Sequence, residues 1–89
     1  VYNIKKISRA LGDSYRLKIL EVISQQQDWM QCGEIVTMFE LSQSTVSHHV
    51  KQLVDADLLI AEKDGRNAKY RINKEAIEQY IQYLKRLSQ

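Results

Sequence analysis

Apolar residues recur along this chain at two different periods, and the change of period divides it. Ile4, Ile7, Ala10 and Leu11 fall three and four apart, which predicts an amphipathic first helix. Gly12 follows, and a glycine just past a helix predicts a stop in the left-handed conformation. Asp13 or Ser14 is then placed to cap a second helix. Leu17, Leu20 and Ile23 are expected to point from it toward a core, with Ile19 and Val22 widening the apolar face. A polar connection over residues 25–28 leads to a short third helix over Gly33 to Phe39, carrying Ile35, Val36 and Phe39. Leu41 and Ser42 break that pattern, and Ser42 or Ser44 can cap the next helix. This fourth helix has Val46, Val50, Leu53 and Val54 on one face, and Ser44, Thr45, Ser47, His48, Lys51 and Gln52 on the other. After Ala56 and Asp57 the period shortens. Leu58, Leu59 and Ile60 suit a strand, Asp64-Gly65 predicts a hairpin turn, and Lys69 to Ile72 form the return strand. Asn73 then caps a last helix with a stripe of Ile77, Tyr80, Ile81, Leu84 and Leu87. The expected class is mainly α with a small β-hairpin.

A short helix, a tight turn and a second helix with small polar residues outward is the plan of a helix-turn-helix, and a hairpin directly after it adds a wing. The physical reason is geometric. The DNA major groove admits a helix, short side chains let it approach, and hydroxyl and imidazole groups can meet base edges or phosphate oxygens. Ser42, Gln43, Ser44 and Thr45 open the fourth helix, where free backbone N–H groups favour phosphate. Lys63, Arg66 and Asn67 would tip the wing.

Length and composition add bounds. Eighty-nine residues suit a single domain over 1–89, and so small a domain gains core by pairing with a second copy. The balance of 44% hydrophobic and 27% charged residues argues against disorder. No apolar run approaches the roughly 20 residues that span a bilayer, so no membrane partner is expected. The opening residues do not read as a secretory leader, and one cysteine excludes an internal disulfide framework; a cytoplasmic protein is expected. The net charge of +2 is too small to decide for nucleic acid alone. Its distribution says more, with Lys5, Lys6, Arg9, Arg16 and Lys18 toward the N-terminus. Lys51, Lys63, Arg66, Lys69 and Arg71 cluster around the reading elements.

Other chemistries fit less well. Cys32, near the start of the third helix, reads either as a thiol sensor, since a helix N-terminus favours a reactive thiol, or as a small core residue beside Met30. The core reading is favoured. His48 and His49 are adjacent on a helix and diverge by about 100°, so they cannot easily grip one metal ion. His48 is expected at DNA or phosphate and His49 in packing or capping. Ser47 and Asp55 with a histidine lack any oxyanion-hole or glycine-elbow motif, which excludes a hydrolase. No cofactor is expected. Tyr80, Ile81, Leu84 and Leu87 read as a dimer seam before a ligand pocket.

The sequence resembles the ArsR/SmtB family of bacterial winged-helix repressors. The likeness runs through Ala10-Leu11-Gly12-Asp13, Arg16-Leu17-Lys18-Ile19-Leu20 and Gly33-Glu34-Ile35 into the run from Leu41 to Leu53, which is its most specific part. It continues through Ala56-Asp57-Leu58-Leu59 and Asp64-Gly65-Arg66 to Tyr70. The resemblance implies that Gln43, Ser44, Thr45, Ser47 and His48 face double-stranded DNA, with Lys63 and Arg66 in the wing. It also implies a homodimer through the first and last helices, which agrees with the apolar residues Ile4, Ile7, Leu11, Ile77, Tyr80, Ile81 and Leu84. The chain departs from the family in several places. Asp57 stands where the family usually has glycine, and Ser14 replaces a common proline. Metal-sensing members carry a C-x-C pair that aligns with Gln31 and Gly33, with Cys32 between, and others use histidines on a last helix that has none here. No metal site is expected, and the inducer is left open. A second reading, a winged-helix protein-interaction module with weak or no DNA binding, rests on the low net charge.

Overall fold

The computed structural model describes residues 2–26 and 28–89; Gln27, in the expected polar connection, lies outside them. Five helices and three strands succeed one another: α1 (Ile4–Ala10), α2 (Ser14–Ser24), β1 (Met30–Gln31), α3 (Cys32–Thr37), α4 (Gln43–Asp55), β2 (Leu59–Asp64), β3 (Asn67–Ile72) and α5 (Lys74–Leu87). The mainly helical class and the winged helix-turn-helix plan both hold.

Polar side chains cap four of the five helices, α3 being the exception. Asn3 Oδ1 accepts from Lys6 N, Asp13 Oδ1 from Tyr15 N and Arg16 N, Ser42 Oγ from Thr45 N, and Asn73 Oδ1 from Ala76 N. Each satisfies donors that a helix start leaves free, worth about 1 kcal/mol per cap. The end of α4 is equally well defined. Leu58 N donates to Leu53 O at 3.0 Å and Asp57 N to Val54 O at 2.9 Å, the bond pair of a Schellman motif. Asp57 takes the left-handed position at φ 65°, as its alignment with a family glycine implied. Leu53 and Leu58, both fully buried, make the apolar contact that accompanies the motif.

Gly12 does not adopt the expected left-handed conformation; among the described residues only Asp57 and Gly65 have such a φ. A Cβ there would approach Arg9 O at 3.3 Å, a tight contact with backbone. In the hairpin, Asp64 pairs with Asn67, so Gly65 and Arg66 form a two-residue loop. Gly65, at φ 64°, supplies the positive dihedral at its first position that such loops require.

The hairpin belongs to a three-stranded antiparallel sheet of order β1-β3-β2, because Met30 pairs with Tyr70 and Gln31 with Lys69. The core gathers Ile7 from α1, Ile19 and Ile23 from α2, Met30 from β1, Ile35 from α3, Val46, Val50 and Leu53 from α4, and Leu58 from the turn that follows. Leu17 is a correction to the sequence reading: it is 43% exposed. The inward face of α2 is centred on Ile19, Leu20 and Ile23, and the helical spacing that continues it backward reaches Arg16 instead. A second correction concerns Ile7, expected at a dimer interface. It is fully buried in the core of its own chain and has no surface to offer a partner.

Candidate nucleic-acid interface

The fourth helix is held by its apolar face. Val46, Val50 and Leu53 are buried, and α4 packs against α1, α2, α3 and β2. Opposite them, Ser44, His48 and Lys51 follow at i, i+4 and i+7 and are all exposed. Gln43 and Thr45 are exposed beside them at the helix start. There Ser42 Oγ lies 2.8 Å from Thr45 Oγ1 and 3.1 Å from Ser44 Oγ. Three hydroxyls thus cluster at the start of the helix, where Ser42 Oγ also accepts from Thr45 N, beside the remaining unpaired N–H groups of the first turn.

Two residues of the expected polar face turn out otherwise. Ser47 is half-buried on the flank toward α3, with Cys32 Sγ 3.9 Å from its hydroxyl. Gln52 is turned toward α2, where its Oε1 accepts from Arg16 Nη1 at 2.6 Å. His49 is a packing residue, as expected: half-buried, it stacks on Tyr15 with ring centroids 6.1 Å apart. Tyr15 in turn meets Phe39 edge-on, which braces α4 against α2 and the turn after α3.

The wing divides its cations. Lys63 and Arg66 are exposed at and beside the loop. Lys69 and Arg71, expected to join them, sit over the ring of Trp29 at 5.1 Å and 4.5 Å from its centroid. Lys69 also pairs with Glu62 at 3.6 Å. By strand alternation these side chains share one sheet face, and Lys63 belongs to the other. Trp29 escaped the sequence reading because it precedes a two-residue strand that only the distant pairing with β3 creates.

Cys32 opens α3 as a half-buried thiol, and Gln31 and Gly33, at the positions of the family's C-x-C pair, are exposed. Among the described residues no three His, Cys, Asp or Glu side chains gather as a metal-binding group. Burial raises the Tyr70 phenol above its ordinary 10.0, and neighbouring Cys32 adds to the shift. At the start of α2 the backbone N–H of Arg16 holds the Asp13 carboxyl below its ordinary 3.8, helped by Tyr15 N–H and the Arg16 charge.

The residues expected at the dimer face are spread over several environments. Ile77 and Tyr80 are half-buried against the core, and Tyr80 Oη lies 2.8 Å from Ser8 Oγ, which ties α5 to α1. Leu11 is half-buried and packs on the core, and Ile4 is half-buried. Ile81, Leu84 and Leu87 are 37%, 46% and 65% exposed, an apolar row left partly open among the described residues. Among the described residues no helix is long and apolar enough to cross a membrane.

Known proteins share this arrangement. The family described as "Bacterial regulatory protein, arsR family" matches residues 13–61, which take in α2 through the start of β2. An arsenical resistance operon repressor of Staphylococcus aureus is 37% identical over 86 residues, covering 91% of this chain and 76% of that protein. Among solved structures, an ArsR-like transcriptional regulator from Rhodococcus sp. RHA1 superposes with a TM-score of 0.82 at 21% identity, over 96% of this chain and 78% of that one. A homodimeric winged helix-turn-helix DNA-binding domain from Mycobacterium bovis does so with a TM-score of 0.74 at 21% identity, over the same shares. With the matched segment carrying the helix-turn-helix and the base of the wing, the chain belongs to the arsR family of bacterial regulatory proteins and is a DNA-binding transcription regulator.

Proposed function

We propose that this protein is a dimeric, cytoplasmic transcriptional repressor that binds a near-palindromic operator. The observation that carries the reading is the exposed row Ser44, His48 and Lys51 beside the hydroxyl cluster at the start of α4. Short polar side chains there enter a major groove and reach base edges, while Gln43 and Thr45 meet phosphates at the groove edge. Lys63 and Arg66 follow the backbone from the wing. Repression is supported by the S. aureus relative, which is named a repressor. The dimer is supported by the uncovered row Ile81, Leu84 and Leu87 and by the M. bovis domain, described as homodimeric. Two copies related by a twofold axis place their reading helices about 34 Å apart, one turn of duplex, which makes the operator a near-palindrome. The polar side chains serve binding, not catalysis.

The test is selection of bound duplexes from a random library at near-physiological salt, with the mass of the winning complex measured. A paired half-site motif carrying two protein chains is the expected result. A folded protein that enriches no motif, or whose affinity barely changes with salt, would overturn it in favour of a protein-binding module.

A further inference from the structure

Base reading depends on the angle at which α4 is presented, and beyond the apolar packing one polar side chain ties α4 to α1 and α2. The inward positions of α2 run 16, 19, 20, 23; three are apolar and the fourth is Arg16. Its half-buried guanidinium reaches two other helices. Nε donates to Ala10 O at 2.6 Å and Nη2 to Arg9 O at 3.2 Å, two carbonyls at the end of α1. Nη1 donates to Gln52 Oε1 at 2.6 Å and lies 3.4 Å from His49 Nδ1, both on α4. The backbone N–H of Arg16 is itself fixed by Asp13 at 3.1 Å. A rigid fork with donors on three atoms can clasp two helices at once, which a lysine ammonium cannot do at the same geometry. All three guanidinium nitrogens are thus bonded within the protein.

We propose that Arg16 is a positioning residue for DNA reading: it sets the tilt of α4 against α1, and thereby the spacing of half-sites that the dimer accepts. The inference rests on the dimeric operator reading above, because α1 adjoins the uncovered α5 face through Ser8 and Tyr80. The lever is long. Gln52 stands about 12 Å along the helix from Ser44, so a tilt of about 5° at Gln52 moves Ser44 by about 1 Å. That displacement is enough to break a hydrogen bond to a base.

The test compares wild type with Arg16→Lys, Gln52→Leu and Gln52→Glu on four duplexes. These are the selected operator, the same half-sites with one base pair added or removed between them, and a scrambled sequence. Arg16→Lys and Gln52→Leu are expected to lose about tenfold in affinity for the selected operator, the scale of one mismatched base pair. They should bind the altered spacings within a few-fold of it, and match wild type on scrambled DNA and in the salt slope. Gln52→Glu, which keeps an acceptor for Arg16, is expected to retain the wild-type spacing preference. An unchanged preference in Arg16→Lys and Gln52→Leu would overturn the proposal. Equal loss on all four duplexes with a salt slope smaller by about one would also do so, since it would mark Arg16 as a phosphate contact. If Arg16→Lys loses its helical circular dichroism, Gln52→Leu decides alone, because it removes only the acceptor on α4. A wild-type protein that selects no paired half-sites overturns both readings, and shows it before any variant is made.

Discussion

Replacing Leu84 by alanine tests the dimer face most directly. Leu84 lies in the middle of the uncovered row on α5 and is 46% exposed in the single chain. Burying a whole leucine side chain contributes about 1.5–3 kcal/mol, so covering the part still exposed is worth about 0.7–1.4 kcal/mol. A twofold interface loses that contact twice, for a total of about 1.4–2.8 kcal/mol. Leu84→Ala should therefore raise the dimer dissociation constant by about ten- to a hundredfold. Sedimentation equilibrium over a range of concentrations measures it. Met38→Ala is the matched comparison: Met38 is also apolar and is 57% exposed, but it sits at the end of α3 and not in the α5 row. That variant should leave the constant unchanged. Helical content should be the same in all three proteins, because neither side chain belongs to the core. If Leu84→Ala dimerises as wild type does, or if Met38→Ala weakens the dimer equally, the α5 row is not the interface and the reasoning fails.

Three further outcomes are expected. Arg66→Ala should weaken binding to operator and scrambled duplex alike and reduce the salt slope by about one, whereas His48→Ala should alter the enriched sequence itself; fluorescence anisotropy titrations and a repeated selection separate the two. Asp57→Gly should raise unfolding stability by about 0.5–1 kcal/mol by removing a side chain from a left-handed position, and Gly65→Ala should lower it by about 1 kcal/mol by adding one, both read from urea midpoints. The Asp13 carboxyl is held below 3.8 in the fold, so its contribution is present above that pH and is lost as pH falls through the lower folded value; Asp13→Asn, which keeps the cap, should flatten the stability–pH curve below about pH 4.

Much of this architecture can be read from residue spacing because local chemistry and tertiary packing agree. Ser42 caps α4 where its hydroxyl predicts, and Val46, Val50 and Leu53 bury as their spacing predicts. Asp64-Gly65 marks the hairpin, although the loop falls one residue later than expected. Disagreements arise where hydrophobicity and position part. Leu17 draws an inward assignment because it is apolar, yet the 16-19-20-23 spacing places the cation Arg16 on the inward face, where helix-end carbonyls and Gln52 satisfy it. Ile7 carries the same apolar signal whether it meets its own core or a partner, and only the three-dimensional packing separates the two. β1 has two residues and no period of its own; it exists through its pairing with Tyr70 and Lys69, far along the chain. The polar face of α4 is legible as a whole, but the inward turn of Ser47 and Gln52 depends on what Cys32 and Arg16 offer them.

Trp29 is the only tryptophan in the sequence, and Lys69 and Arg71 lie over its ring at the root of the wing. Light absorbed at wavelengths beyond tyrosine is therefore emitted from that one place. A duplex that draws either cation toward a phosphate leaves the indole in a different electric field, and its colour and brightness change accordingly. Any such change would be read without a label, in one stopped-flow cell, from the place where Lys69 and Arg71 cover the ring.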